Sequence, residues 1–231
     1  MSLYTNPIII TLRNFLRLIK LSDFLGNLVS SGTYEERYDK KFLETINAGD
    51  CVWDVGANIG YYTIKFSKVV KENGKVFAFE PSSINFSELS HNCKDIINIE
   101  LLKFGLGMED KTFFLEQGND PIGATSKINE NSNSGEPVSI HSAKSILDME
   151  NGISSPNVIK IDVEGHELDV LKGFADKLSM PSIRSIGVEV HSGLLQARGI
   201  KNAPILIENL LKEHNFKVEW TDYSHLIATR N

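Results

Sequence analysis

Val52-Trp53-Asp54-Val55-Gly56-Ala57-Asn58-Ile59-Gly60-Tyr61-Tyr62-Thr63-Ile64 reads as a buried strand, a glycine turn and the first turns of a helix. The apolar run ends at Gly56, a second glycine follows at Gly60, and amphipathic spacing begins at once. This is the order expected where a parallel strand feeds a helix whose free N–H groups face a ligand. About twenty residues further on, a second strand, Lys75-Val76-Phe77-Ala78-Phe79, ends in an acid, Glu80. A carboxylate at that point can accept both hydroxyls of a ribose.

Two nucleotide-type cofactor classes use this geometry, and the glycines help to separate them. The dinucleotide fingerprint asks for glycine at Gly56, at the second position beyond it and at the fifth. The last two are Asn58 and Tyr61 here. Side chains there obstruct the backbone's approach to a pyrophosphate and close helix–strand packing, which argues against NAD or FAD. S-adenosylmethionine carries no pyrophosphate and needs only the turn, the distal acid and polar cover. The motif supplies these. An NAD-type dehydrogenase and a non-catalytic cofactor-binding module are the alternatives.

Composition narrows the class. The 231 residues fit one domain with a large core, and 41% hydrophobic and 23% charged residues are ordinary for a globular protein. A formal net charge of -6 offers phosphate backbones no general attraction, so no nucleic-acid substrate is expected. Cys51 and Cys93 form neither a disulfide framework nor a zinc spacing and read as reduced packing residues of a cytoplasmic protein. No stretch has the roughly 18 uninterrupted apolar residues of a membrane span, and nothing before Ser30 resembles a signal-peptide cleavage site.

Along the chain, Leu12, Phe15, Leu16, Ile19 and Leu28 recur at helical spacing, with Arg13, Arg17 and Lys20 on the polar side. They predict an amphipathic helical cap over residues 1–33, with peripheral membrane contact as its other possible role. A helix from Tyr34 to about Ile46 precedes the first strand, and helices from Tyr61 and Ile84 flank the second. Ile99–Phe104 is a third strand, and Thr112–Leu115 and Val138–Ile140 are short strands around a polar insert, Glu116–Pro137, a candidate lid. Asn157–Asp162 is the fourth strand, with a helix from Glu167 to Lys172 stopping at Gly173. Ser185–His191 is the fifth, and after a helix over Ala203–His214, Phe216–Trp220 and His225–Thr229 pair as a closing hairpin. The pattern is an α/β, doubly wound, Rossmann-like sheet, mostly parallel with an antiparallel C-terminal hairpin.

In such sheets ligands bind beyond the carboxyl ends of the strands. The residues there are Gly56 to Tyr62, Glu80, Phe104 and Gly105, Asp162 to His166, and Glu189 to His191, a repeated placement of acids and histidines that surface charge does not explain. Three segments also carry a resemblance. Asp54-Val55-Gly56-Ala57-Asn58-Ile59-Gly60, Phe79-Glu80-Pro81 and Ile159-Lys160-Ile161-Asp162-Val163-Glu164-Gly165-His166-Glu167, followed by Leu171-Lys172-Gly173, resemble the FkbM family of S-adenosylmethionine-dependent methyltransferases. The first motif is shared with other class I methyltransferases; the lysine-containing motif is the specific one. The resemblance implies a seven-stranded class I methyltransferase domain over residues 34–231 and O-methylation of a small-molecule hydroxyl acceptor, a sugar or another metabolite. It places Pro81 and Phe104 near the adenine. His166 departs from what many members carry, so no catalytic role is inherited by it.

The expected cofactor-binding set is Asp54, Gly56, Asn58, Gly60, Tyr61, Tyr62, Glu80, Pro81, Phe104 and Asp162. The catalytic set is His191, Asp162 and Glu164. His191 is the expected base, since imidazole has the most suitable unperturbed pKa, and Asp162 and Glu164 orient the acceptor or the methionine end of the cofactor. No metal is assigned; a rival reading joins Asp162, Glu189 and His191 in a divalent-metal site that acidifies the hydroxyl. Lys160 interrupts an apolar strand, and a buried lysine must be paired or neutral, with Glu189 the expected partner.

Overall fold

The computed structural model describes residues 33–116, 127–129, 135–149 and 152–230. The amphipathic cap, with its membrane-contact reading, and most of the candidate lid lie outside the described residues.

Eleven strands and seven α-helices are described. Helix α1 (Thr33–Leu43) precedes β1 (Cys51–Val55), α2 (Tyr61–Val70), β2 (Lys75–Phe79), α3 (Ser83–Cys93) and β3 (Ile99–Leu102). An inserted unit follows: β4 (Gly105–Gly107), β5 (Lys111–Glu116), β6 (Lys127–Asn129), β7 (Glu136–Ser142) and α4 (Ala143–Asp148). The chain then forms β8 (Val158–Ile161), α5 (Glu167–Phe174), β9 (Ser185–Glu189), α6 (Ser192–Ala197), α7 (Ala203–Glu213), β10 (Lys217–Trp220) and β11 (His225–Thr229). The main sheet has seven strands in the order β10-β11-β9-β8-β1-β2-β3, in which β11 alone runs antiparallel to its neighbours. Order reverses between β1 and β8, the switch point at which doubly wound sheets bind ligands.

Strand alternation builds the core. Trp53 and Val55 face the cluster formed with Leu168, Leu171 and Phe174 of α5 and with Ile207 and Leu211 of α7. Val52, one step away, joins Tyr38, Phe42, Phe66 and Val70 on the opposite face. Period two along the strand thus serves two helical layers at once. Among the described residues no helix is long and apolar enough to cross a membrane.

The insert differs from the expectation. The third strand stops at Leu102 instead of Phe104, because the chain leaves β2 and pairs as β4 with β7. With β5 and β6 these strands make a second, four-stranded sheet instead of two isolated strands. Helix α5 runs through Gly173, which was expected to stop it. A Cβ there would lie 1.9 Å from the Gly107 carbonyl oxygen, so this glycine lets β4 pack directly on the helix. The fifth strand likewise ends at Glu189, and Val190 and His191 lead into the short helix α6.

Candidate active site

Register decides what meets at the switch point. Val55 pairs with Phe79 on one side and Ile161 on the other, and Ile161 pairs with Val188. The next residues, Glu80, Gly56, Asp162 and Glu189, therefore lie in a row across four strand ends. Antiparallel β11 adds His225, the register partner of Glu189.

A cleft opens above the Glu80–Asp162 part of this row. Gly56, Asn58, Glu80, Asp162 and Glu164 give it a polar side, and Pro81, Leu106, Leu115 and Ile140 an apolar wall drawn largely from the inserted sheet. Glu80 is tethered: Asn58 N donates to its Oε2 and Ser82 N to its Oε1, each at 2.9 Å. Burial pushes its carboxyl up to about 7, against the pull of those N–H groups and of the Asn85 amide. Asn85 Oδ1 is buried, lines the cleft and has no hydrogen-bond partner among the described residues. A tethered carboxylate, an unmet acceptor and an apolar wall fit the ribose and adenine of S-adenosylmethionine.

Glu80→Gln should therefore weaken S-adenosylhomocysteine binding by about tenfold or more, the equivalent of roughly 1.5–3 kcal/mol for a charge-assisted hydrogen bond. An ionised carboxylate there could accept two ribose hydroxyls; protonated, it would lose acceptor capacity. With its carboxyl near 7, wild-type affinity should rise from pH 6 to pH 8, and the rise should be absent in Glu80→Gln. Equal affinities in calorimetry, across both pH values and both proteins, would reject the assignment.

Beside the cleft lies a second cluster. His191 Nδ1 is 2.7 Å from Oε1 of Glu167, a fully buried residue at the start of α5. Its Nε2 faces Glu164 Oε2 at 3.4 Å, Glu189 Oε1 at 3.7 Å and Asp162 Oδ1 at 4.0 Å. Burial pulls the imidazole down, but the Glu167 hydrogen bond and the surrounding carboxylates carry it up to about 9. His225 repeats the posture, with Nδ1 2.9 Å from Asp222 Oδ2 and Nε2 3.4 Å from Glu189 Oε2. Burial opposes ionisation of Glu189, yet these histidines hold it down at about 2. Glu164 sits in the left-handed region at φ 48°, a strained position for a residue with a side chain, followed by Gly165 at φ 94°.

The two clusters meet through Asp162. Its Oδ2 is 3.0 Å from Lys160 Nζ, which also lies 4.4 Å from the Tyr62 ring centroid. The direct partner of Lys160 is thus Asp162 and not Glu189, which attracts it from further away. Residues i and i+2 of a strand share a face, so the chain supplies the counter-charge itself.

Of the expected cofactor set, Gly56, Asn58, Glu80, Pro81 and Asp162 line the cleft, and five do not. Asp54 is buried in β1, where its Oδ2 accepts from Thr63 Oγ1 at 2.6 Å. Gly60 begins α2 at φ 95° and packs against Leu89. Tyr61 is 61% exposed and pairs with Lys65 one turn along the helix. Tyr62 turns to Asp39 of α1. Phe104 packs edge-on against Phe79 and His141, while the adjacent Gly105 and Leu106 take the place at the cleft. Ser82, Asn85, Glu167, His225 and the inserted sheet's apolar residues were not singled out from the sequence.

The profile of the methyltransferase FkbM domain matches residues 54–218. The chain belongs to this family. The family's cofactor is S-adenosylmethionine, and the matched span holds the whole row from Asp54 to His191 but stops short of His225. Hexuronic acid methyltransferase AglP of Haloferax volcanii is 31% identical over 162 residues, which cover 69% of this chain and 64% of that protein. The match thus spans less than two thirds of AglP. The FkbM of Streptomyces tacrolimicus, a 31-O-demethyl-FK506 methyltransferase, is 27% identical over 203 residues, 75% of each chain. Among solved structures, SMU.1697c of Streptococcus mutans, crystallised with S-adenosylhomocysteine, superposes with a TM-score of 0.52. It covers 85% of this chain and 97% of its own at 12% identity, a likeness of fold.

Proposed function

We propose that this FkbM-family protein transfers the methyl group of S-adenosylmethionine to a hydroxyl of a sugar or another small metabolite. The observation that carries this reading is the junction, at Asp162 and Glu164, of the Glu80 cleft with the cluster that includes His191. The similarity to a hexuronic acid methyltransferase supports a sugar among small-molecule acceptors. The acid-rich surround supports an acceptor other than a nucleic-acid backbone.

When bound, the cofactor supplies an electrophilic methyl group on a sulfonium. Glu80, Asn58 and Asn85 would hold the ribose, the inserted sheet's apolar residues would cover the adenine, and Asp162 would orient the methionine end. The rest is alignment and proton removal, because an alcohol attacks only as its proton leaves. In this reading His191 serves as one of a fixed set of charges and not as the free base expected from the sequence. Its Nδ1 is taken by Glu167, and its Nε2 is ringed by three carboxylates. The cluster in this reading fixes charge around the reacting hydroxyl, whose proton leaves to solvent.

A screen of monosaccharide and uronoside acceptors with radiolabelled S-adenosylmethionine tests the reading. Transfer to a sugar hydroxyl is expected, with kcat falling about 100-fold or more in His191→Ala and S-adenosylhomocysteine affinity unchanged. Absence of transfer to any sugar would overturn the acceptor class. Undiminished turnover in the variant would overturn the role of the cluster.

A further inference from the structure

We infer that Asp162, Glu164 and His191 hold a divalent cation, with Glu189 as a fourth donor. One oxygen or nitrogen from each of the first three lies within 4.8 Å of the others. A cation about 2.1–2.2 Å from each donor would need them no more than about 4.3 Å apart, so small side-chain rotations close the set. The posture of His191 is the stronger sign. A metal-bound histidine ordinarily gives its other ring N–H to a carboxylate, which fixes the tautomer and aims the free nitrogen. Glu167 does this from a fully buried position, and the ring turns Nε2 into the carboxylates of Glu164, Glu189 and Asp162 at 3.4, 3.7 and 4.0 Å. A charged N–H···O bond is about 2.7–2.9 Å long. The observed separations are too long for that and suit neighbours in one coordination shell.

The remaining groups support the same centre. Lys160 takes Oδ2 of Asp162 and leaves Oδ1 on the His191 side. Glu189 is held through its other oxygen by His225, itself oriented by Asp222, so Oε1 is fixed toward Nε2 of His191. The left-handed backbone of Glu164 brings its carboxylate to the cleft side of the set. Several carboxylates with one imidazole suit Mn²⁺, with Mg²⁺ weaker and Zn²⁺ tighter at the same donors. Its role, unlike its binding, rests on the proposed methyl transfer. An acceptor hydroxyl on the cation gives up its proton more readily, and that proton leaves to solvent. The oxygen's electron pair forms the C–O bond, and the S–CH3 bonding pair returns to sulfur, leaving the neutral thioether.

Binding is measured without turnover. Chelator-treated protein titrated with MnCl2, followed by the electron paramagnetic resonance signal of free Mn²⁺, should show one saturable site per chain at micromolar to submillimolar concentration. His191→Ala and Glu164→Gln should each weaken it tenfold or more, and the surface substitution Glu213→Gln should not. Glu164 has a side chain 43% exposed, so its variant keeps the test valid if His191→Ala fails to fold. Saturable binding lost in these variants supports the site. Absence of saturable Mn²⁺ binding up to millimolar concentration, or binding unchanged in both variants, overturns it. S-adenosylhomocysteine calorimetry on the same samples separates the two readings. Retained cofactor binding without Mn²⁺ binding rejects the cation alone, and Mn²⁺ binding without cofactor binding rejects the methyltransferase reading instead.

Discussion

Gly56→Ala is expected to lose both stability and cofactor binding. Gly56 has φ 85°, and a Cβ on it would lie 1.9 Å from the carbonyl oxygen of Asp162 and 2.8 Å from its carbonyl carbon. The turn cannot retreat easily. Gly56 N and Ala57 N both donate to Phe79 O, at 3.1 and 3.0 Å, and Asp162 N donates to Val55 O at 3.0 Å. The new methyl group must push apart the two loops that form the floor of the cleft. A left-handed residue with a side chain costs about 1–2 kcal/mol, and overpacking against backbone adds about 1–3 kcal/mol. The sum, roughly 2–5 kcal/mol, corresponds to a Tm lower by about 5–15 °C for a domain of this size. Gly49→Ala is the control. Its φ is 90°, yet nothing lies within 4 Å of a Cβ there, so it reports backbone strain without the clash. Scanning calorimetry should rank Gly56→Ala well below Gly49→Ala, and S-adenosylhomocysteine binding should vanish only in the former. Equal Tm values for the two variants would show that the contact with Asp162 yields without cost.

The same contact shows why part of the site is legible in the sequence. Gly56, Glu80, Asp162 and Glu189 stand where apolar runs turn polar, and that change marks strand ends in any parallel sheet. Their order across the sheet follows from doubly wound topology once the strands are found. Residues placed by non-local pairing are different. Leu106, Leu115 and Ile140 reach the cleft only because β4 pairs with β7 and β7 with β5, and no local pattern encodes that choice. His225 reads as one more residue of a closing hairpin until antiparallel register sets it against Glu189. Asn85 lies within α3, in a stretch with no motif. Tyr61 and Tyr62 mislead for a simpler reason. Adjacent residues on a helix point in different directions, and here neither lines the cleft. The pairing of Lys160, by contrast, was open to reading, since Asp162 follows two positions later on the same strand face.

Replacing that lysine should be among the most damaging single changes. Lys160 is 3% exposed and pairs in register with Asp54, which is fully buried. Burial raises the carboxyl of Asp54 and the Lys160 charge opposes the rise; Thr63 holds Oδ2, and Oδ1 has no partner among the described residues. On Lys160 burial acts downward, and the charges of Asp162 and Asp54 outweigh it, so the ammonium stays charged. Removing one partner of a buried ion pair costs about 3–5 kcal/mol, because the other charge is left uncompensated. Lys160→Met keeps most of the volume and should destabilise the fold by that amount, read by denaturant unfolding. The pH dependence has a definite sign. An acid whose folded pKa is raised takes up a proton more readily in the native state, so its cost is present above the unfolded pKa and fades as pH falls. Lys160→Met should therefore be less destabilised at pH 5 than at pH 8, and Asp54→Asn added to it should recover a large part of the loss. A stable Lys160→Met that binds S-adenosylhomocysteine normally but transfers no methyl group would instead give the lysine a direct part in the chemistry. Loss of stability that is independent of pH and not recovered by Asp54→Asn would show that the aliphatic packing of Lys160, and not its charge, holds the strands together.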